Sequence, residues 1–281
     1  MDSYLIGLIG SGIGPSFSPS LHEREAVHHG LSYVYKLLDT DRLGDDVGGL
    51  VRTARRFGYD GLNITHPCKQ AVIPHLDALS PDAATLGAVN TVVFEGERAI
   101  GHNTDWTGFK GSFTRGLPDA PVRQIVQLGA GGAGAAVAHA LLTLGAERIT
   151  LVDADPARAV RLAAELTGRF GAGRACPAAE DDLPELLAAA DGLVHATPTG
   201  MAHHPGLPLP AELLRPAMWV ADIVYRPVAT ELLKQARDLG CRTLDGTGMV
   251  VFQAVDAFRL FTGRAPDVER MFTHLTDLVT D

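Results

Sequence analysis

The stretch that most constrains this chain is the apolar run Gln124–Leu128, followed at once by Gly129-Ala130-Gly131-Gly132-Ala133-Gly134 and then a helical pattern over Ala133–Leu144. A strand, a glycine turn and a helix in direct succession leave few folds open. Gly129, Gly131 and Gly134 fit the spacing GxGxxG. The first glycine allows the tight turn, the second lets backbone approach a pyrophosphate, and the third lets helix pack on strand. Gly132 and Ala133 complete the loop, and the helix N-terminus then offers unpaired N–H groups to phosphate oxygens. The bland alternative is a tight glycine turn with no ligand. The strand–turn–helix context predicts a dinucleotide site.

The next strand, Arg148–Val152, runs directly into Asp153. A carboxylate there accepts hydrogen bonds from ribose hydroxyls and repels a 2′-phosphate. The chain continues Asp153-Ala154-Asp155-Pro156, with no arginine directly after the acid. This predicts NAD rather than its phosphorylated relative. Arg158, one helical turn further on, is the one nearby cation that could favour the phosphate, and it joins the nucleotide candidates with Thr197 at the end of the strand Gly192–Thr197. Asp155 reads as a helix cap before a proline at the first helical position.

Apolar runs alternate with helical patterns on both sides of this block, the signature of helix-covered, largely parallel sheets. Strands are expected at Tyr4–Ile9, Tyr33–Leu38, Gly61–Thr65, Val89–Phe94 and Trp219–Val224. Helices are expected at Ser20–His29, Asp41–Phe57, Lys69–Leu76, Asp82–Leu86, Pro156–Phe170, Asp182–Ala190 and Ala229–Leu239. One helix is expected within Gly101–Gly116, and the tail, Gly248–Gly263 and Asp267–Val279, reads as helical. At 281 residues the chain has room for two domains. The division expected is residues 1–105 with 246–281 as a substrate-binding catalytic domain, and 106–245 as a Rossmann-type doubly wound nucleotide domain, with the cleft between them. The formal net charge of −9 lacks the basic footprint that nucleic acid requires. Cys68, Cys176 and Cys241 are far apart, which fits a reducing cytoplasm better than a disulfide scaffold. No stretch approaches the ~20 apolar residues of a membrane helix. Adjacent histidines, His28-His29 and His203-His204, point different ways and make poor metal pairs, so no metal is expected.

Four polar clusters fall where strands end or loops begin. In Ser16-Phe17-Ser18-Pro19-Ser20, alternate serines of an extended segment present hydroxyls on one side, enough to hold a carboxylate. Equally, Ser18 or Ser20 could cap the next helix, and Ser20 is the better cap. In Asn63-Ile64-Thr65-His66-Pro67-Cys68-Lys69, Asn63 and Thr65 share a strand face. Lys69 opens a helix, where the dipole disfavours an ammonium, so it is a candidate general acid or base. On spacing alone a solvated lysine is the plainer reading. The third cluster joins Asn90-Thr91 to Gly101-His102-Asn103-Thr104-Asp105, and the fourth joins Asp222–Pro227 to Gly246-Thr247-Gly248-Met249 and Gln253.

In order, these read SxSPxxH, NxTxPxK, GAxNT, GxNTD, GxGGA, DxxYxP and GxGMxxxQ. The succession resembles the shikimate dehydrogenase family from Ser16 to Gln253. The resemblance implies interconversion of shikimate and 3-dehydroshikimate by hydride transfer, with a small hydroxy-carboxylate as substrate. It implies Lys69 and Asp105 as the catalytic pair, Ser16, Ser18 and Tyr225 on the substrate carboxylate, and Asn63, Thr65, Asn90 and Gln253 on ring hydroxyls. Gly248 and Met249 would lie beside the nicotinamide. Biosynthetic members carry an Asn-Arg-Thr/Ser clamp where this chain has Asp153-Ala154-Asp155, so it looks more like the NAD-dependent quinate/shikimate branch. Ser18 departs from that branch, which often has threonine there. Quinate activity is therefore an open expectation beside shikimate activity. An aminoshikimate dehydrogenase and a non-catalytic sensor are the alternatives, though a sensor has no need of the Lys69–Asp105 pair. A cytoplasmic monomer or homodimer is expected.

Overall fold

A computed structural model describes residues 2–280. The chain separates into two compact units, one formed by residues up to 107 together with those from 251 onward, the other by Gly108–Val250.

The first unit is built on a six-stranded mixed sheet. Its elements are β1 (Ser3–Gly10), α1 (Ser18–His28), β2 (Ser32–Asp39), α2 (Thr40–Leu43), α3 (Val47–Arg56), β3 (Gly61–Ile64), α4 (Cys68–Ala71), β4 (Ala78–Leu79), α5 (Pro81–Leu86), β5 (Thr91–Glu95) and β6 (Arg98–His102). α6 (Asp105–Gly116) starts in this unit and runs into the next. The strand order is β2-β1-β3-β5-β6-β4. β1 pairs in parallel with β2 and β3, whereas β3, β5 and β6 are antiparallel neighbours. The apolar run of β1 explains its central place: Ile6 and Ile9 are fully buried, and Ile9 shares one core with Leu62, Ile64 and Val92.

Three expectations need correction here. The helix expected over Asp41–Phe57 is two helices. Gly44 turns left-handed at φ +70 and ends α2, and the Asp46 carboxylate caps α3 by accepting the Gly49 N–H at 2.6 Å. The helix expected over Lys69–Leu76 stops at Ala71 and continues as the 3₁₀ turn Ile73–His75, because Pro74 lacks the N–H that an α-helix would use. Ser20 lies inside α1 and caps nothing. Phe17 is already helical in backbone, so the extended alternation of serines does not form. Instead the Ser16 hydroxyl accepts the Ser18 N–H at 3.3 Å.

The second unit holds β7 (Gln124–Leu128), α7 (Gly132–Thr143), β8 (Arg148–Val152), α8 (Pro156–Phe170), β9 (Ala175–Pro177), α9 (Leu183–Ala189), β10 (Gly192–His195), β11 (Trp219–Asp222), α10 (Glu231–Asp238) and β12 (Arg242–Leu244). All strands are parallel, in the order β12-β11-β10-β7-β8-β9. From β7 the chain moves one way to β8 and β9, and then returns to β10 on the other side. That reversal is the topological switch point at which doubly wound sheets bind ligands, outside the carboxyl ends of the strands. α11 (Thr247–Thr262) leads back to the first unit, and α12 (Val268–Thr280) closes the chain there. Glu25 of α1 is buried and receives the Arg270 guanidinium of α12 at 2.6 and 2.8 Å. Burial alone would raise the Glu25 carboxyl, but Arg270, the Asp267 N–H and His29 outweigh it and hold the group below its ordinary value.

Candidate active site

In the first unit, Lys69 is the second residue of α4 and Asp105 the first of α6. Lys69 Nζ meets Asp105 Oδ2 at 2.6 Å. Asp105 is only 3 % exposed, so its charge needs partners. Besides the lysine it receives the Asn90 amide on Oδ1 at 3.0 Å and sits in the first turn of a helix, where the dipole favours an anion. Asn103 accepts the Asp105 N–H at 3.0 Å and so caps that turn.

Asn90 is the hub. Its Oδ1 accepts the Thr104 N–H at 2.8 Å and the Thr91 hydroxyl at 3.1 Å. Its Nδ2 faces Thr104 Oγ1 at 2.9 Å, Asp105 Oδ1 at 3.0 Å and Gln253 Oε1 at 3.3 Å. Asn63 donates to Thr91 Oγ1 at 3.1 Å and to the Asn90 carbonyl at 3.3 Å, while its Oδ1 accepts the Tyr35 hydroxyl at 2.8 Å. Tyr35 also hydrogen-bonds the Ser18 side chain, and burial raises its phenol, so it remains a donor. One continuous network thus links Ser18, Tyr35, Asn63, Thr91, Asn90, Gln253, Asp105 and Lys69. Thr65 lies just past β3, with its N–H on the Ile9 carbonyl at 2.9 Å. His66 is exposed, and burial lowers the His102 imidazole.

Tyr35 was not singled out by sequence reasoning. The signal was available: β2 alternates exposed and buried residues over Ser32–Tyr35, and Tyr35 falls on the buried side, where a phenol needs a partner.

In the second unit the glycine loop divides into closed and open positions. Gly129 has φ +100, and a Cβ there would lie 2.5 Å from the Ala196 carbonyl oxygen. A Cβ at Gly134 would lie 2.2 Å from the Gly129 carbonyl oxygen. At Gly131 and Gly132 a Cβ would meet nothing within 4 Å, so the start of α7 is open. Gln127, fully buried in β7, donates to the carbonyls of Gly129 and Gly134 at 2.9 Å each and ties the loop ends together. This second unforeseen residue was marked only by its polarity within a buried strand. Ala133 lies in the first turn of α7.

Asp155 caps α8 by accepting the Ala157 N–H at 3.0 Å. The Asp153 carboxylate accepts the Ala130 N–H at 2.7 Å and the Asp155 N–H at 2.9 Å, fixed beside the glycine loop. Arg158 is turned to Asp155, Nε to Oδ2 3.5 Å, on an exposed helix turn. An open helix N-terminus, a turn that only glycine can make and a carboxylate at the end of β8 together fit a dinucleotide. Thr197 follows β10 and is half-buried. A Cβ at Gly248 would lie 2.2 Å from Ser112 Oγ, so α11 begins in close contact with α6. Met249 is half-buried in the same turn. Tyr225 lies beyond β11; burial raises its phenol, partly offset by Arg226.

Comparison with known proteins places this geometry. Residues 8–92 match the shikimate dehydrogenase substrate binding domain, and residues 246–271 match the shikimate 5′-dehydrogenase C-terminal domain. A shikimate dehydrogenase (NADP(+)) of Streptomyces avermitilis is 69% identical over 280 residues, covering 99% of this chain and 96% of that protein. The chain belongs to the shikimate dehydrogenase family. It is therefore an oxidoreductase of two α/β domains, one substrate-binding and one Rossmann-like, and its cofactor is a pyridine nucleotide. Other members carry a different cofactor name. A quinate/shikimate dehydrogenase (NAD(+)) of Corynebacterium efficiens is 53% identical over 274 residues, covering 96% of each chain. The solved quinate dehydrogenase of Corynebacterium glutamicum in complex with NAD superposes with a TM-score of 0.95 at 47% identity, covering 99% of this chain and 100% of that one. Residues 125–203 also match a saccharopine dehydrogenase NADP binding domain. Among the described residues, no helix is long and apolar enough to cross a membrane.

Proposed function

We propose that this protein interconverts shikimate and 3-dehydroshikimate with NAD, and that quinate is a second substrate. The observation that carries the reaction is the Lys69–Asp105 pair, Nζ to Oδ2 2.6 Å, with Asp105 buried and also held by Asn90. Oxidising a secondary alcohol removes a hydride and a proton. The nicotinamide, when bound, supplies the hydride chemistry. The chain's residues handle the proton. Lys69 takes it from the substrate hydroxyl in oxidation and returns it in reduction. Asp105 orients Lys69 and balances its charge, and the two titrate as one coupled pair. Ser16, Ser18 and Tyr225 hold the substrate carboxylate, and Asn63, Thr65, Asn90 and Gln253 hold ring hydroxyls. In this reading residues 1–105 and 246–281 form the substrate-binding catalytic domain, and 106–245 the NAD domain.

Asp153 supports NAD over NADP. Each of its oxygens is already fixed by a backbone N–H, so the anion cannot swing away from a 2′-phosphate, and Arg158, the nearest candidate cation, is paired with Asp155. The NADP(+) name of the Streptomyces relative points the other way, whereas the Corynebacterium names favour both NAD and quinate.

Initial rates with shikimate and quinate, each against NAD and NADP, test the reading, with Lys69→Ala as the blank. Shikimate oxidation is expected with a kcat/KM for NAD at least about tenfold above that for NADP, within the range one pocket contact can discriminate. A preference for NADP would overturn the cofactor assignment. No turnover with any pair would overturn the reaction.

A further inference from the structure

The second unit holds a buried polar cluster that the chemistry above does not use. His195 ends β10 and Asp222 ends β11, and the parallel register sets them side by side. They are 0% and 2% exposed. His195 Nδ1 lies 2.9 Å from Asp222 Oδ1, and Nε2 lies 2.5 Å from the Thr197 hydroxyl oxygen. Asp222 also accepts the Thr230 hydroxyl at 2.7 Å and the Val224 N–H at 3.0 Å. A carboxylate can only accept, so the proton between His195 and Asp222 belongs to Nδ1. In the neutral imidazole Nε2 is then the acceptor, and the Thr197 hydroxyl donates to it. Thr197 Oγ1 itself accepts the Thr199 N–H at 3.3 Å. With the ring in that neutral form, the hydroxyl has no proton left to offer and keeps one lone pair for another donor.

The position of Thr197 gives this polarity a purpose. It lies two residues past the end of β10, at the reversal of strand order about β7 where such sheets bind ligands. A Cβ at Gly129 would lie 3.0 Å from Thr197 Cγ2, so Thr197 forms a wall of the first glycine turn. We propose that His195 is a positioning residue for the nucleotide. Anchored by Asp222, it fixes the Thr197 hydroxyl as an acceptor for an N–H or O–H group of the bound dinucleotide. The proposal rests on the dinucleotide reading of this sheet edge.

The test uses the intact protein and follows NADH and NADPH binding by nucleotide fluorescence, with shikimate KM measured alongside. His195→Asn places an amide N–H where Nδ1 stands, so it keeps the Asp222 contact and is too short to reach Thr197. Thr197→Val removes the acceptor, together with its bonds to His195 Nε2 and the Thr199 N–H, and leaves the His195–Asp222 contact in place. Each variant is expected to raise the dissociation constant for the preferred nucleotide about fivefold or more, with shikimate KM unchanged. The double variant is expected to bind no more weakly than Thr197→Val alone, because His195 acts through Thr197. Wild-type binding by His195→Asn, effects that multiply in the double variant, or a parallel rise in shikimate KM would each overturn the proposal. A wild-type protein that binds neither nucleotide would overturn the dinucleotide reading itself. Nucleotide binding without turnover would count only against the reaction.

Discussion

The two units recognise by opposite means. In the first, the candidate site is a web of side chains, and nearly every polar atom around Asn90 is bonded to another side chain or to a loop amide. In the second, the candidate cradle is defined by missing side chains: Gly129 and Gly134 have no room for a Cβ, and Gly131 and Gly132 leave open space. A side-chain web can discriminate one hydroxyl pattern from another, because each unpaired buried group is costly. A backbone cradle reads what all dinucleotides share, the pyrophosphate, and under the proposed function the choice among them falls to one carboxylate, Asp153.

The largest expected break in this comparison is Lys69→Ala, which removes the group proposed to handle the proton. Turnover should fall roughly 10²–10⁴-fold, the usual worth of a positioned acid or base, and the melting temperature should fall too, because buried Asp105 loses its cation, as steady-state rates and a melting curve would show. Next comes Gly134→Ala. The added methyl would sit 2.2 Å from a backbone oxygen that cannot swing aside. Overpacking of this kind costs about 1–3 kcal/mol, so a lower melting temperature and weakened NADH binding are expected, while the shikimate KM holds. A smaller effect is expected of Asp153→Asn, which keeps the shape and removes the charge. The NAD-to-NADP ratio of kcat/KM should fall several-fold, by relief of repulsion at the 2′ position. Smallest is Arg158→Ala. Its partner is Asp155 on an exposed turn, so NAD binding should stay within about twofold, since exposed pairs are worth little. A large gain or loss there would show that Arg158 reaches the nucleotide after all.

The Glu25–Arg270 contact adds a pH dependence. The Glu25 carboxyl is held below its ordinary value, so its stabilising contribution is present above the unfolded carboxylate pKa of ~4.3 and is lost as pH falls through the lower folded value. Melting temperature should drop on acidification more steeply in wild type than in Arg270→Ala, which has already lost the pair.

What could be read in the sequence follows the same division. The cradle was legible because it is local: strand, glycines, helix and acid fall in one βαβ unit, and β7, β8 and α8 have the predicted limits. The web is not local. Tyr35, Asn63, Asn90, Asp105 and Gln253 come from separate elements, and no spacing rule joins them; the order of motifs along the chain brought most of them together by resemblance. Tyr35 and Gln127 escaped because a polar residue in an apolar strand is normally assigned to the solvent face, whereas both are buried and bonded. β4, β9 and β12, two or three residues each, are too short to show a period. The split of Asp41–Phe57 turned on capping by Gly44 and Asp46, which the amphipathic pattern overrode.

The most direct test of the account is NADH binding to Lys69→Ala, followed by nucleotide fluorescence. The account places the chemistry and the nucleotide cradle in different units, so it predicts wild-type affinity in a protein whose turnover has collapsed. Affinity lost in step with turnover would contradict it.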